Sequence, residues 1–405
     1  MDYQATTNWM FSKLPMYQDK GVVAFNKDLT KTKLLAKHLS NPEKKIKSIH
    51  VGGTNGKGST SHMLAAVLQQ AGYKVGLFTS PHLKDFRERI KVNSQMISED
   101  EVINFIHNNK VFLNQHQLSF FEMTVGMAFE FFAKQRVDIA VVEVGLGGRL
   151  DSTNIIKPEV SVITNIGMDH TQFLGNSLQS IANEKAGIIK THTPVVIGET
   201  QKEVSHIFIN KARKKQSDIH FADQEFFSIY SCSLQGNYQS KNLKTALKTI
   251  QVLKTLGFEI SESHIQKGLQ LIQQLTALRG RWDVICETPK IICDTAHNKE
   301  GLTLVLNQLQ QEDYHNLHIV LGFVNDKNLG DLVHLFPIEA QYYFCKSHKA
   351  RGQETSIVEQ IFSKNGRKGD EYASVGAALF AAKKNALNQD VIFVGGSTFV
   401  VAEVL

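Results

Sequence analysis

Ile49-His50-Val51-Gly52-Gly53-Thr54-Asn55-Gly56-Lys57-Gly58-Ser59-Thr60 decides the fold: a β-branched run enters a glycine-rich turn, and the turn enters a stretch with helical periodicity, His62–Ala71. Glycines let backbone N–H groups curl round phosphate oxygens, the helix start adds positive potential, and Lys57 can reach terminal phosphates. The strict pattern GxxxxGK[ST] is not met, because Val51 stands at the first glycine position and Gly58 separates Lys57 from Ser59. The stretch is therefore a variant phosphate loop, where ATP is expected, with Ser59 or Thr60 placed to face a magnesium ion.

Outward from the loop, short β-branched runs recur at Ser48–Val51, Lys74–Phe78, Ile139–Val144, Val160–Thr164 and Pro194–Ile197, with helical segments such as Thr124–Lys134 between them. That alternation predicts a mainly parallel sheet with crossover helices. After Ser231 the pattern turns helical through Asn242–Leu256 and His264–Leu275. Arg279-Gly280-Arg281-Trp282 then precedes a fresh strand, Lys290–Asp294, and further strands are expected at His318–Leu321, Gln341–Cys345 and Val391–Val394. The fold class is α/β, with domains at 1–280 and 281–405, the second a smaller α/β unit.

A length of 405 residues suits two domains, and 21% charged with 42% apolar residues is ordinary globular composition. A net charge of +6 spread over this length suits small anionic substrates as well as nucleic acid, and no nucleic-acid partner is expected. The densest basic run, Lys211-Ala212-Arg213-Lys214-Lys215, is read as the solvated face of a helix. Four cysteines without a CxxC pair suggest neither a zinc site nor a disulfide framework. With no export segment at Met1-Asp2-Tyr3-Gln4 and no apolar run of membrane-spanning length, a cytoplasmic protein without a membrane partner is expected.

Val141-Val142-Glu143-Val144-Gly145-Leu146-Gly147-Gly148-Arg149-Leu150-Asp151 puts one carboxylate at an apolar strand end, where it needs a cation. That cation is either magnesium or a structural partner such as Arg149. Thr164-Asn165-Ile166-Gly167-Met168-Asp169-His170-Thr171 places His170 at the sheet edge where open parallel sheets bind ligands. Magnesium prefers oxygen, so the motif alone does not make His170 a ligand. Lys185, in Asn183-Glu184-Lys185-Ala186-Gly187-Ile188-Ile189-Lys190, is a surface lysine on base rates. If desolvated, its neutral amine can capture carbon dioxide as a carbamate.

Together these residues resemble the folylpolyglutamate and dihydrofolate synthases of the Mur ligase superfamily. The matches, in order, are Gly53-Thr54-Asn55-Gly56-Lys57-Gly58-Ser59, Ser80-Pro81-His82-Leu83, Glu143 to Asp151, Asp169-His170-Thr171, Glu184-Lys185-Ala186-Gly187-Ile188, Arg279-Gly280-Arg281 and Asp294-Thr295-Ala296-His297-Asn298. The resemblance implies a P-loop ATPase domain followed by a Rossmann-like domain, with the active site between them. It implies ATP contacts from Thr54, Asn55, Gly56, Lys57, Gly58, Ser59, Asn242, Arg281 and Asp294. Magnesium ligands would be Ser59, Ser80, Glu143 and His170, with Lys185 as a carbamate and His297 near the incoming glutamate and the reacting carboxylate. Substrate contacts fall to Ser119, Leu150 and Asp151.

Two departures stand out: Lys299 follows Asn298 where proline is frequent, and Ser119-Phe120-Phe121-Glu122 stands where relatives read Thr-x-Phe-Glu. The implied reaction joins L-glutamate to dihydropteroate or to folates through an acyl phosphate, by a monomer using ATP, magnesium and in some cases a monovalent cation. The alternatives are a cell-wall Mur ligase acting on a nucleotide-linked muramyl peptide and a P-loop regulatory ATPase.

Overall fold

The computed structural model describes residues 2–14, 28–325, 327–349 and 351–405. They form two compact units, one comprising the chain up to Ser233 with Gln239–Ala277, the other Leu234–Tyr238 with Leu278–Leu405.

The first unit carries strands β1 (Ser48–Gly52), β2 (Val75–Phe78), β3 (Ile90–Val92), β4 (Gln95–Met96), β5 (Ile139–Glu143), β6 (Val160–Ile163), β7 (Val195–Ile197) and β8 (Ile219–Phe221). They make one sheet in the order β4-β3-β2-β5-β1-β6-β7-β8. The run from β2 to β8 pairs in parallel, and β3 and β4 add an antiparallel edge. The five strands expected from sequence are the contiguous centre, β2 to β7 in spatial order. Their Val and Ile residues are buried along the whole of each strand, as covered parallel sheets require. The edge strands escaped the sequence because they are two or three residues long, and Lys91 interrupts β3. Its ammonium is nonetheless satisfied, donating to the Thr276 carbonyl at 2.7 Å.

Helix Lys57–Gln70 runs directly from the glycine turn and is buried from Ser59 to Leu68, packed by the helices Gln239–Thr255, Glu262–Gln270 and Ile272–Thr276. The sequence expects one helix over His264–Leu275; the chain instead breaks at Leu271, which leaves helical geometry at ψ 20°. Apolar periodicity continues across a one-residue break, so only the backbone reveals it.

The second unit holds β9 (Asp283–Glu287), β10 (Lys290–Cys293), β11 (Leu317–Leu321), β12 (Gln341–Phe344), β13 (Gly369–Glu371) and β14 (Val391–Gly395). Their order is β13-β12-β11-β14-β10-β9, parallel except for β9. Rings of Phe323, Phe336, Tyr342, Phe344 and Phe362 meet at 5.3 to 6.1 Å between centroids and fill one side of its core. Among the described residues no helix is long and apolar enough to cross a membrane.

Candidate active site

The strand order reverses about β1: the chain leaves it for β2 on one side, and from β5 it crosses over β1 to β6 on the other. In register, Val51 faces Glu143 and Gly52 faces Ile163, so the phosphate loop, Glu143 and Thr164 emerge at one carboxyl edge. The loop is clamped from β6. Thr164 Oγ1 donates to the Asn55 carbonyl at 2.5 Å, and Asn165 accepts Asn55 N–H on its side chain and Thr54 N–H on its carbonyl, each at 2.9 Å. Gly53 (φ +139°) and Gly56 (φ +82°) have no room for a side chain. A Cβ would lie 1.9 Å from Thr164 Oγ1 and 2.1 Å from Asn242 Oδ1 respectively. Helix Lys57–Gln70 begins at Gly56 without a side-chain cap, which leaves its first N–H groups to an anion or water.

Two amines converge beside this loop. Lys57 Nζ donates to the carbonyls of Gly53 (3.2 Å) and Thr54 (3.1 Å), and Lys185 Nζ donates to the same Gly53 oxygen at 2.6 Å. Lys185 is buried, at 4% exposure, which removes the surface reading. Burial first, and then the charge of Lys57, push its amine down to about 7, against the pull of Asp169 and Asp151.

Glu143 is also buried, and its Oε2 accepts the backbone N–H of Ser80 at 3.0 Å. Arg149 is not its partner: that guanidinium binds Glu184 at 2.8 Å. The nearby buried cation is Arg89, pushed down to about 10 by burial and supported by the charges of Glu143 and Glu88. Ser59 Oγ is buried and accepts from Gln239 Nε2 at 3.2 Å. His170 stands at φ +50° before the short helix Thr171–Leu174, with Nε2 3.8 Å from Asp169 Oδ2. Among the described residues no three His, Cys, Asp or Glu side chains gather into a metal cage. A few hard oxygen donors, Glu143 with the hydroxyls of Ser80 and Ser59, fit a magnesium-like ion that keeps water and substrate phosphate as its other ligands.

The remaining residues of the first unit have clear local tasks. Ser119 caps helix Phe120–Gln135: its Oγ accepts Glu122 N–H at 3.2 Å while Glu122 Oε2 accepts Ser119 N–H at 2.8 Å. Asp151 is buried, its carboxyl raised by that burial, and it accepts N–H groups of Leu146 (2.8 Å) and Thr153 (3.0 Å). It thereby shapes the glycine turn on which Leu150, half-buried, sits. Asn242 donates to Gln239 Oε1 at 2.8 Å and faces Gly56, so an i, i+3 amide pair on one helix braces both ends of the loop. For Gln239 the only signal in the sequence is its i, i+3 spacing from Asn242. Thr164, Asn165 and Arg89 carry no such signal in the sequence, since nothing in a single chain says that the first two meet the loop or that the third feels the charge of Glu143.

In the second unit Asp294, at the end of β10, is buried, and desolvation raises its carboxyl. It accepts Tyr238 O–H at 2.6 Å, Trp282 N–H at 2.8 Å and Ala296 N–H at 2.8 Å. Arg281 donates to the Gly280 carbonyl at 3.0 Å and to Thr295 Oγ1. His297 Nδ1 lies 3.0 Å from the Thr295 carbonyl, which can only accept, so Nδ1 carries a proton, and in the neutral ring Nε2 is the acceptor atom.

Residues 51–266 match the model of the Mur ligase middle domain, and residues 280–398 that of the Mur ligase glutamate ligase domain. A dihydrofolate synthase/folylpolyglutamate synthase of Buchnera aphidicola subsp. Schizaphis graminum is 32% identical over 98% of this chain and 96% of its own. A probable bifunctional folylpolyglutamate synthase/dihydropteroate synthase of Haloferax volcanii is 30% identical over the whole chain, which spans 50% of that relative's length. Among solved structures, a bifunctional folylpolyglutamate synthase/dihydrofolate synthase with Mn, AMPPNP and L-glutamate bound superposes with a TM-score of 0.87. It is 28% identical, covering 100% of this chain and 97% of that one.

Proposed function

The chain belongs to the folylpolyglutamate synthase/dihydrofolate synthase family of the Mur ligases, ATP-dependent ligases, and from that premise we propose that it adds L-glutamate to dihydropteroate and to folates through an acyl phosphate. The observation that carries the site assignment is the meeting of Lys57 and Lys185 on the Gly53 carbonyl, at the foot of an uncapped helix. Relatives matched along 82 to 98% of the chain are dihydrofolate synthase/folylpolyglutamate synthases, which sets aside the muramyl-peptide alternative.

The substrate carboxylate attacks the γ-phosphorus of ATP, the bond to the β-phosphate oxygen breaks, and ADP departs. Lys57 exchanges its two loop carbonyls for phosphate oxygens, and the loop N–H groups neutralise charge in that step. Glutamate nitrogen then attacks the acyl carbon, phosphate leaves, and the nitrogen loses its proton to a base. His297 is assigned beside that amine, with Nε2 as acceptor. Arg281, Asp294, Asn242 and the loop residues Thr54 to Ser59 hold the nucleotide, while Ser119, Leu150 and Asp151 border the acid substrate.

Ser59, Ser80, Glu143 and His170 would hold magnesium, which when bound supplies charge neutralisation for the phosphates. We assign Lys185 as a carbamate, formed when its neutral amine adds to carbon dioxide and releases a proton. The lowered basicity of the buried amine supports this. The working form is taken to be a cytoplasmic monomer, and a monovalent cation is included as an activator to be titrated.

The deciding experiment measures ADP release with dihydropteroate or tetrahydrofolate, each with and without L-glutamate. Release that requires both acid and glutamate is expected. Hydrolysis indifferent to both would instead make the chain a regulatory ATPase.

A further inference from the structure

Helix Ser205–Lys215 packs against the turn Ala186–Ile188, which directly follows Lys185. Phe208 and Ala212 are buried on its inner side. Lys211, Lys214 and Lys215 stand at i, i+3 and i+4 and share another face. Cations from three further elements join them. Lys190 feels the charges of Lys215 and Lys33, and Lys211 those of Lys215, Lys214 and Arg149.

Hydrogen bonds tie this cluster to the active-site turn. Lys190 Nζ donates to the Asn154 carbonyl at 2.8 Å, and Asn154 Nδ2 donates to the carbonyls of Arg149 (3.0 Å) and Gly187 (3.2 Å). Arg149 N–H donates to the Glu184 carbonyl at 2.8 Å, one residue before Lys185. His192 N–H reaches the Lys215 carbonyl at 3.0 Å, fixing the Lys190 loop against the helix end.

A basic last turn is ordinary, because cations favour a helix C-terminus. That explanation does not reach Lys33, Lys190 or Arg149, which lie on other elements. Of these six cations only Arg149 has a carboxylate within 4 Å among the described residues; Lys33, Lys190, Lys211, Lys214 and Lys215 have none. Like charges gathered with a single counter-charge destabilise a fold, and the same gathering is a standing attraction for a polyanion.

We propose that Arg149, Lys211, Lys215, Lys190 and Lys33 form a track for the oligoglutamate tail of the enzyme's own folate substrate. The inference rests on the function proposed above, and it names which form of substrate this face selects. Each glutamate already added keeps one free carboxylate, so a longer tail offers an evenly spaced row of negative charges to the row of cations. Dihydropteroate, with no tail, makes no use of the track.

The test compares the wild-type protein with the Lys190→Gln/Lys211→Gln/Lys215→Gln variant, titrating pteroylpentaglutamate and pteroylmonoglutamate by calorimetry at low and at 0.5 M salt. The expected result is binding of the pentaglutamate weakened about tenfold in the variant at low salt, with the difference vanishing at high salt. Monoglutamate affinity is expected to be unchanged, which also reports that the variant is folded. Equal affinities of the two proteins for pentaglutamate, or equal weakening for both ligands, would overturn the track. Binding of single-stranded RNA that the variant loses, without preference for the pentaglutamate, would assign the face to nucleic acid instead. Glutamate-dependent ADP release with dihydropteroate is expected to persist in the variant. Its absence in the wild type as well would fail the ligase reading, a separate outcome.

Discussion

Lys57 and Lys185 share one acceptor, the Gly53 carbonyl, and burial first, then repulsion by Lys57, keeps Lys185 ready to lose its proton. Lys57→Ala is expected to slow ADP formation by roughly a hundredfold or more, since it removes a positioned charge from the phosphoryl step; stopped single-turnover assays measure it. Arginine at position 185 stays charged at every working pH and cannot add carbon dioxide. Lys185→Arg should therefore lack the one-CO2 mass increment that native mass spectrometry is expected to find on the wild-type protein. His50 gives a pH prediction. Burial, and then Lys190, push its imidazole down to about 3, while its Nε2 lies 2.8 Å from Thr153 Oγ1. The unfolded chain takes that proton first, near the ordinary value of 6.5. The stability associated with neutral His50 is thus complete above that value and is lost as pH falls toward about 3, at up to about 1.4 kcal/mol per pH unit. Urea unfolding of His50→Gln between pH 4 and 7 should show this part of the slope removed.

Helix Phe120–Gln135 shows how one short motif serves as an element boundary. Ser-x-x-Glu at 119–122 is a capping box, and both of its hydrogen bonds are present. Ser119→Ala should lower stability by about 1 kcal/mol, and Ser119→Thr by much less, because the threonine hydroxyl also caps. Denaturant midpoints check this. A Ser119→Ala protein of full stability but weakened folate binding would instead make the hydroxyl chiefly a substrate contact. The same scale explains the phosphate loop, which is held less by its own residues than by the end of β6 and by the Gln239–Asn242 pair.

At the scale of the molecule, the segment Leu234–Tyr238 belongs with the second unit although Gln239 begins a helix of the first. Tyr238 O–H is one of three donors to the buried Asp294 carboxyl. Removing it leaves a buried acceptor short, so Tyr238→Phe should destabilise the second unit by about 1 to 3 kcal/mol. The chain has two tryptophans, and with Trp9 replaced by Phe the fluorescence of Trp282 reports that unit alone. An unchanged Trp282 transition would show that the segment contributes nothing. By itself the sequence determined the central strands, the phosphate loop, the α/β class and the family, because each is written in local pattern: β-branched runs buried on both faces, glycines at positive φ, and motifs in fixed order. Glu143 was legible as a carboxylate needing a cation, but not that Arg149 would turn to Glu184 and that the buried Arg89 would feel the charge of Glu143. The tertiary structure alone decided that Lys185 is buried against Lys57, that Thr164, Asn165 and Gln239 brace the loop, and that a basic run read as a solvated face adjoins Lys190 and Arg149. Those facts depend on which residues far apart in sequence come within a few ångströms, and desolvation and charge coupling exist only once they do.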